Sequence, residues 1–457
     1  MSIFKAYDIR GVYGNDLTED IVYKIGYFIP ALLNTHKVLV GRDMRTSSPV
    51  LFEALCNGIL DAGANVYDAG LCTTPMVYYG TAHFKFNASV MITASHNPTK
   101  YNGLKISRED ALPVGFDTGL EKLEMLVNDG DIVVSSTRGS IFQIESELQT
   151  DYYQFLSSFE SDFSNLNLGV DCSNGSSGYF VRRVLGDKPM YINEEPDGTF
   201  PNHEPNPLEI ENVEQLIHLV KTHKLDVGVI FDGDADRVMF VDDKGRFISP
   251  DLLIAAMGHY FGAGKDRLVL HDIRTSRAVK EYLEKEGYKT HMWRVGRAYA
   301  ALKLREIKGL FGGELAGHYY FSQFYYSDSG FIAARILLDV FAKFKKEGIK
   351  VSMLVDKITG RWANSGEINY RIAQKQEAMD AVRDHFCQTE KPTDSFDFDG
   401  YRVDFKHWWF NIRPSNTEPY LRFIAEADSA GLLKKKLEVL NDILKPFLDE
   451  PTLPLTH

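Results

Sequence analysis

Asp232, Asp234 and Asp236 stand at alternate positions in the run Asp232-Gly233-Asp234-Ala235-Asp236-Arg237, directly after the apolar stretch Asp226-Val227-Gly228-Val229-Ile230-Phe231. On extended backbone, side chains at i, i+2 and i+4 point the same way, so three carboxylates can meet one hard cation. Without a cation they would repel at short range, an unfavourable arrangement for three free acids after a buried strand. Few oxygen ligands suit a small divalent cation such as magnesium. An EF-hand loop does not fit, because its sixth position should be glycine and is Arg237, and its twelfth should be glutamate and is Asp243.

Three further loops carry usable groups. Thr93-Ala94-Ser95-His96-Asn97-Pro98 follows the apolar run Ala88-Ser89-Val90-Met91-Ile92 and precedes Asn102-Gly103, so Ser95 is expected on a tight loop at a strand's C-terminal end. Open α/β sheets keep their ligands there; the alternative use of such a serine is a turn or a cap. Gly312-Gly313-Glu314-Leu315-Ala316-Gly317-His318 offers a carboxylate able to accept from two neighbouring hydroxyls, with glycines that let the backbone come close. Ile412-Arg413-Pro414-Ser415-Asn416-Thr417 combines one planar cation with short donors, either a phosphate cradle or a turn with a surface arginine. Phosphorylation of Asp232 or Asp234, as in haloacid-dehalogenase-type enzymes, is a second use of the acids. In that family the second Asp is followed by glycine and a hydroxyl residue, where this chain has Ala235.

These loops need sheets behind them. Phe4 to Gly11 reads as an edge strand whose Arg10 is solvated. A helix around Asp20 to Leu33, with Thr18 as N-cap, leads to the strand Lys37-Val40, a polar loop and a helix from Val50 to Ala62 closed by Gly63. That rhythm belongs to a parallel α/β sheet. It returns at Leu168-Gly169-Val170-Asp171 and at Val269-Leu270-His271-Asp272, and Asp43-Met-Arg-Thr-Ser and Asp272-Ile-Arg-Thr-Ser differ at one position. After each copy comes a strand ending in one of the polar loops, the third at Gly309-Leu310-Phe311. The predicted architecture is three similar α/β modules with mixed and parallel sheets, then a smaller α+β unit, around one cleft. Its divisions fall at 1–145, 146–248, 249–362 and 363–457.

A chain of 457 residues, 44% hydrophobic and 25% charged, has the composition of a multidomain globular protein. A net charge of −12 argues against nucleic acid as a partner. No apolar run suggests a signal peptide or a membrane span, so residence in the cytosol is the default expectation. Cys56, Cys72, Cys172 and Cys387 are far apart, which argues against a zinc site and gives no disulfide framework.

Thr-Ala-Ser-His-Asn-Pro, with the acidic, glutamate and Arg-x-Ser-Asn-Thr loops in the same order, resembles the α-D-phosphohexomutases, in particular the bacterial phosphomannomutase and phosphoglucomutase branch. The resemblance spans Ala6-Tyr7-Asp8-Ile9-Arg10-Gly11 to Thr417. It implies exchange of a phosphoryl group between O1 and O6 of a hexose phosphate, through phosphorylated Ser95 and a hexose 1,6-bisphosphate. Tyr7, Arg10, His96, Asn97 and Lys105 would surround that serine. One Mg2+ would be held by Ser95, Asp232, Asp234 and Asp236. Arg237, Arg274, Arg297, Glu314, Arg413, Ser415, Asn416 and Thr417 would bind substrate, and Lys105 or His318 would carry the proton. Two positions depart from the family pattern: Ala316 stands where a serine usually grips the sugar, and Arg297 where many relatives have histidine. Hexose phosphates are the expected partners of a monomer or homodimer. The alternatives are a phosphoglucosamine mutase and a non-catalytic protein that binds metal or sugar phosphate.

Overall fold

The computed structural model describes residues 2–262, 267–415 and 420–449, and the backbone of 455–456. Its first sheet contains β1 (Ile9–Val12), β2 (Lys37–Arg42), β3 (Asn65–Leu71), β4 (Ala88–Ile92), β5 (Tyr101–Arg108) and β6 (Ile141–Gln143), in the order β1-β5-β4-β2-β3-β6. The second comprises β7 (Leu168–Asp171), β8 (Met190–Ile192), β9 (Val227–Phe231), β10 (Val238–Asp242) and β11 (Phe247–Ile248), ordered β11-β10-β9-β7-β8. In the third, β12 (Leu268–Asp272), β13 (Lys289–Trp293), β14 (Phe311–Gly313) and β15 (Tyr319–Phe321) run in the order β13-β12-β14-β15.

One plan underlies all three. The strand that opens the repeated segment, β2, β7 or β12, lies between two parallel neighbours. The outer neighbour β4, β9 or β14 then returns antiparallel as β5, β10 or β15. Each polar loop is that return, so all three emerge at equivalent places. The central strands are buried along nearly their whole length. This explains their continuous apolar runs in place of alternation.

The remaining strands, β16 (Ala363–Asn364), β17 (Ile368–Arg371), β18 (Asp394–Phe396), β19 (Tyr401–Asp404), β20 (Trp408–Pro414), β21 (Tyr420–Ala427) and β22 (Leu455–Thr456), form an antiparallel sheet. Helices Lys375–Thr389 and Ala430–Leu444 pack on it around Phe386, Trp408 and Phe410. This is the expected smaller α+β unit.

Helix α1 (Glu19–Leu32) starts at Thr18, whose side chain accepts from Ile21 N, as predicted. Helix α2 (Ser48–Asp61) starts two residues before the expected Val50, because Pro49 fits the first helical turn, where its missing N–H costs nothing. The edge strand β1 is shorter than expected: a turn closed by Lys5 N on Asp8 O reverses the chain, and Phe4 bridges to Ile9. β14 begins at Phe311 rather than Gly309. The four cysteines are free, and burial pushes the Cys56 and Cys72 thiols up to about 12. Among the described residues no helix is long and apolar enough to cross a membrane.

Candidate active site

Ser95 sits on the β4–β5 return with φ of 50°, a left-handed conformation uncommon for a serine. Its surroundings over-determine it. Its N–H donates to Thr93 Oγ1 at 2.9 Å, and its hydroxyl donates to Asp232 Oδ2 at 2.7 Å. Gly233 crosses so close that a Cβ there would stand 2.5 Å from the Ser95 carbonyl oxygen. His96 Nδ1 is 3.4 Å from Ser95 Oγ, and burial, then Arg237 and Arg10, holds its pKa well below the usual imidazole range. Arg10 is not solvated, as its stretch alone had suggested: it pairs with Asp8 at 2.5 Å and donates to Asn97 Oδ1.

The carbonyl side of this loop rests on Arg45, 1% exposed. Its guanidinium donates to the carbonyls of Ser95 (2.9 Å), Asn97 (2.6 Å), Pro98 (3.0 Å) and Tyr101 (3.0 Å) and lies 3.3 Å from Asp43. Arg45→Met should leave those carbonyls and Asp43 without their buried partner, at a cost of about 3–5 kcal/mol. Thermal melting should show a drop of about 5 °C or more; an unchanged melting temperature would refute the bracing role.

The brace is repeated. Asp43, Asp171 and Asp272 each accept on Oδ1 from the backbone N two residues on, at 3.0, 2.8 and 2.7 Å. The turn so formed supports the neighbouring return loop in every module. Arg45 holds the Ser95 carbonyl, Ser176 N donates to Gly233 O at 2.8 Å, and Asp272 Oδ2 accepts from Leu315 N at 2.8 Å. The Asp-x-Arg-Thr-Ser echo was the sequence signal that could have identified Arg45.

Asp232, Asp234 and Asp236 are fully buried, with ligand atoms within 4.8 Å of one another. Lys105 Nζ lies 2.6 Å from Asp234 Oδ2 and 2.5 Å from Asp236 Oδ2. Thr74, at the start of helix α3 (Thr74–His83), also donates to Asp234 Oδ2. Both Oδ1 atoms are buried with no hydrogen-bond donor among the described residues, His318 Nδ1 lying 3.8 Å from that of Asp236. Two carboxylate oxygens without hydrogen bonds beside a third carboxylate fit a hard divalent cation. Burial, then Asp234 and Asp236, pushes the Asp232 carboxyl well above its usual range. For Lys105, burial works to lower the pKa, but Asp234 and Asp236 overcome it and raise it well above the ordinary lysine range. Asp236, His318 and Asp328 also approach one another closely, but His318 Nδ1 is engaged on Asp328 Oδ2 at 2.6 Å.

The third loop meets the second directly. Arg237 Nε donates to His318 Nε2 at 3.0 Å, and the two residues form a β-bridge. Arg297 donates to Asp328 Oδ1 at 3.0 Å and stacks over the Tyr78 ring at 3.7 Å, joining the first and third modules. Glu314 is buried and accepts from the Tyr320 hydroxyl at 2.7 Å, and burial raises its carboxyl's pKa. Tyr7 packs edge-on to Tyr299.

Arg413 is buried in β20, with Glu367 3.7 Å away. Glu367 also pairs with Arg274 at 3.0 Å and Arg422 at 2.8 Å. Burial works to raise its carboxyl's pKa, and Arg274, Arg413 and Arg422 overcome that and hold it at about 2. Arg274 also pairs with Asp272 at 2.7 Å, so Arg413 connects through Glu367 to the brace beneath the glutamate loop. Ser415 ends the described part of its loop; Asn416 and Thr417 lie outside the described residues. The sequence reading did not single out Arg45, Thr74, Tyr320, Asp328 or Glu367.

Comparison with known proteins gives four successive family matches along the chain. Descriptions of phosphoglucomutase/phosphomannomutase match in succession: α/β/α domain I over residues 1–131, domain II over 150–245, domain III over 249–361 and the C-terminal domain over 367–442. The chain is 36% identical to "Phosphohexose mutases" of Xanthomonas campestris pv. campestris, covering 97% of this chain and 99% of that one. It is 32% identical to a phosphomannomutase of Methanocaldococcus jannaschii, covering 97% and 98%. A crystal structure of a phosphoglucomutase/phosphomannomutase family protein from Burkholderia thailandensis superposes with a TM-score of 0.83, at 26% identity and 97% coverage of each chain.

Proposed function

The chain belongs to the phosphoglucomutase/phosphomannomutase family of isomerases, and from that premise we propose that it interconverts the 1-phosphate and 6-phosphate of mannose, glucose or both. The reaction runs through phosphorylated Ser95 and a hexose 1,6-bisphosphate. The observation that carries this reading is the 2.7 Å contact between Ser95 Oγ and Asp232, which places a hydroxyl of the first module on the acid cluster of the second.

A substrate hydroxyl attacks the phosphorus carried on Ser95, the bond from phosphorus to Ser95 Oγ breaks, and the bisphosphate forms. After turning around, it returns its other phosphoryl group to Ser95. Asp232, Asp234 and Asp236, with an oxygen of phosphorylated Ser95, would hold one Mg2+, which would neutralise charge on the transferring group. Arg10, Lys105 and Arg237 supply the protein's own positive charge there. Lys105 is paired with two buried acids and stays an ammonium, which favours its use as a cation. The proton of the attacking hydroxyl then goes to His318, whose Nδ1–H on Asp328 leaves Nε2 as the acceptor once Arg237 moves onto the phosphoryl group. Glu314 grips the sugar, and the loop of Arg413, Ser415, Asn416 and Thr417 grips the distal phosphate from the module at 363–457. The other modules are placed at 1–145, 146–248 and 249–362.

Incubation with glucose 1,6-bisphosphate should add one hydroxylamine-resistant phosphoryl group at Ser95, read by intact and peptide mass. Glucose 1-phosphate or mannose 1-phosphate should then be isomerised faster than glucosamine 1-phosphate. Phosphate on an aspartate, or no isomerisation of any of the three, would overturn the reading.

A further inference from the structure

Glu314 lies in the β14–β15 return, 1% exposed. The backbone of that return is fixed without help from the Tyr320 side chain, although the Tyr320 backbone pairs with Gly312 in the β14–β15 ladder. Glu314 N donates to His318 O at 2.9 Å, Gly317 turns the chain at φ of 84°, and Leu315 N is held by Asp272. What these contacts leave free is rotation of the Glu314 carboxylate. Ala316 has no hydroxyl with which to restrain it from within the loop.

Tyr320 lies two residues beyond His318 on β15 and is 0% exposed. Its ring is immobilised in a cluster with Leu270, Ala300, Ala301 and Leu304. Its hydroxyl donates to Glu314 Oε1 at 2.7 Å, and Oε2 has no protein donor among the described residues. A hydrogen bond from a rigid buried phenol to a carboxylate is strong and directional.

We propose that Tyr320 is a positioning and specificity residue for sugar recognition: it pins Oε1 of Glu314 to the floor of the site and so presents Oε2 to the sugar hydroxyls. This rests on the proposed isomerisation of hexose phosphates. Tyr320 touches no substrate in this role and acts entirely through Glu314. Removing its hydroxyl therefore lets the carboxylate rotate, which weakens substrate binding and leaves the phosphoryl machinery in place.

The test uses the full chain with glucose 1-phosphate or mannose 1-phosphate, whichever the wild type turns over. Tyr320→Phe should raise KM about tenfold with kcat within about threefold, the loss expected for one hydrogen bond to a charged group. In a Glu314→Ala background the same substitution should change kcat/KM by less than about twofold, because the group it acts through is gone. A KM unchanged by Tyr320→Phe would overturn the proposal, as would an equal loss in both backgrounds, which would make Tyr320 a packing residue. If Tyr320→Phe does not fold, 3-fluorotyrosine incorporated at position 320 keeps the hydroxyl while changing its acidity. A shift in KM of about twofold would then support the proposal, and none would overturn it. A wild type that isomerises while the variant matches it defeats this inference alone; a wild type that isomerises no hexose phosphate defeats the functional reading and this inference with it.

Discussion

Ser95→Ala should fold normally and lose isomerisation by a factor on the order of 10^4 or more. The reason is geometric as much as chemical. Ser95 Oγ is the hydroxyl that touches Asp232, and Arg45, Thr93 and Gly233 fix the loop so tightly that no neighbouring group could take its place. Thr93 Oγ1 is already occupied as an acceptor for Ser95 N, and Thr74 Oγ1 is engaged on Asp234. Alanine fits the same backbone path, so the loss should fall on kcat, with little change in the melting temperature. Steady-state turnover in the presence of glucose 1,6-bisphosphate gives the rate, and intact mass should show no phosphoryl group taken up. Activity within tenfold of the wild type would remove Ser95 from the mechanism.

What could be read from the letters was local and periodic. The acids at spacing two, the apolar runs before each polar loop and the repeated Asp-x-Arg-Thr-Ser were enough to infer three similar modules. The topology bears this out strand by strand. The unread part depends on contacts between distant segments. Arg45 was visible as half of the echo, but its use lies on carbonyls about fifty residues away. Asp328 sits in Ser327-Asp328-Ser329, which reads as the start of helix Gly330–Lys346, where Ser329 is the actual cap. Its engagement by both His318 and Arg297 appears only when the β14–β15 return folds back over that helix start. Arg297 pairs with Asp328 and stacks over the Tyr78 ring, and Arg274 pairs with Asp272 and Glu367. A sequence marks such arginines as cations without saying which anion each will meet. Arg10 shows the converse error: Asp8 is its near neighbour in sequence, but Asn97 lies 87 residues away and meets it through the pairing of β1 with β5.

Asp234→Asn should separate the two kinds of charge compensation at the acid cluster. Without a divalent cation, Lys105 is, among the described residues, the lysine ammonium in contact with both Asp234 and Asp236. Their Oδ1 atoms have no hydrogen-bond donor among the described residues, and Asp232 is pushed toward its protonated form by burial and by the other two acids. Removing one negative charge relieves that repulsion, so in chelator the variant should melt no lower than the wild type. With millimolar Mg2+ the order should reverse. The wild type gains stability from any ion that binds the folded state and not the unfolded one, whereas the variant has lost one of its anionic ligands and gains much less. Turnover should fall about 10^2- to 10^3-fold at saturating hexose phosphate, because positive charge on the transferring phosphoryl group is most of what such a reaction asks of a protein. Chelation of the wild type should abolish turnover, and added Mg2+ should restore it. Equal Mg2+-dependent rises in melting temperature for the two proteins would mean that Asp234 is not a ligand. Full activity of the wild type in chelator would mean that Lys105, Arg10 and Arg237 neutralise the phosphoryl group unaided.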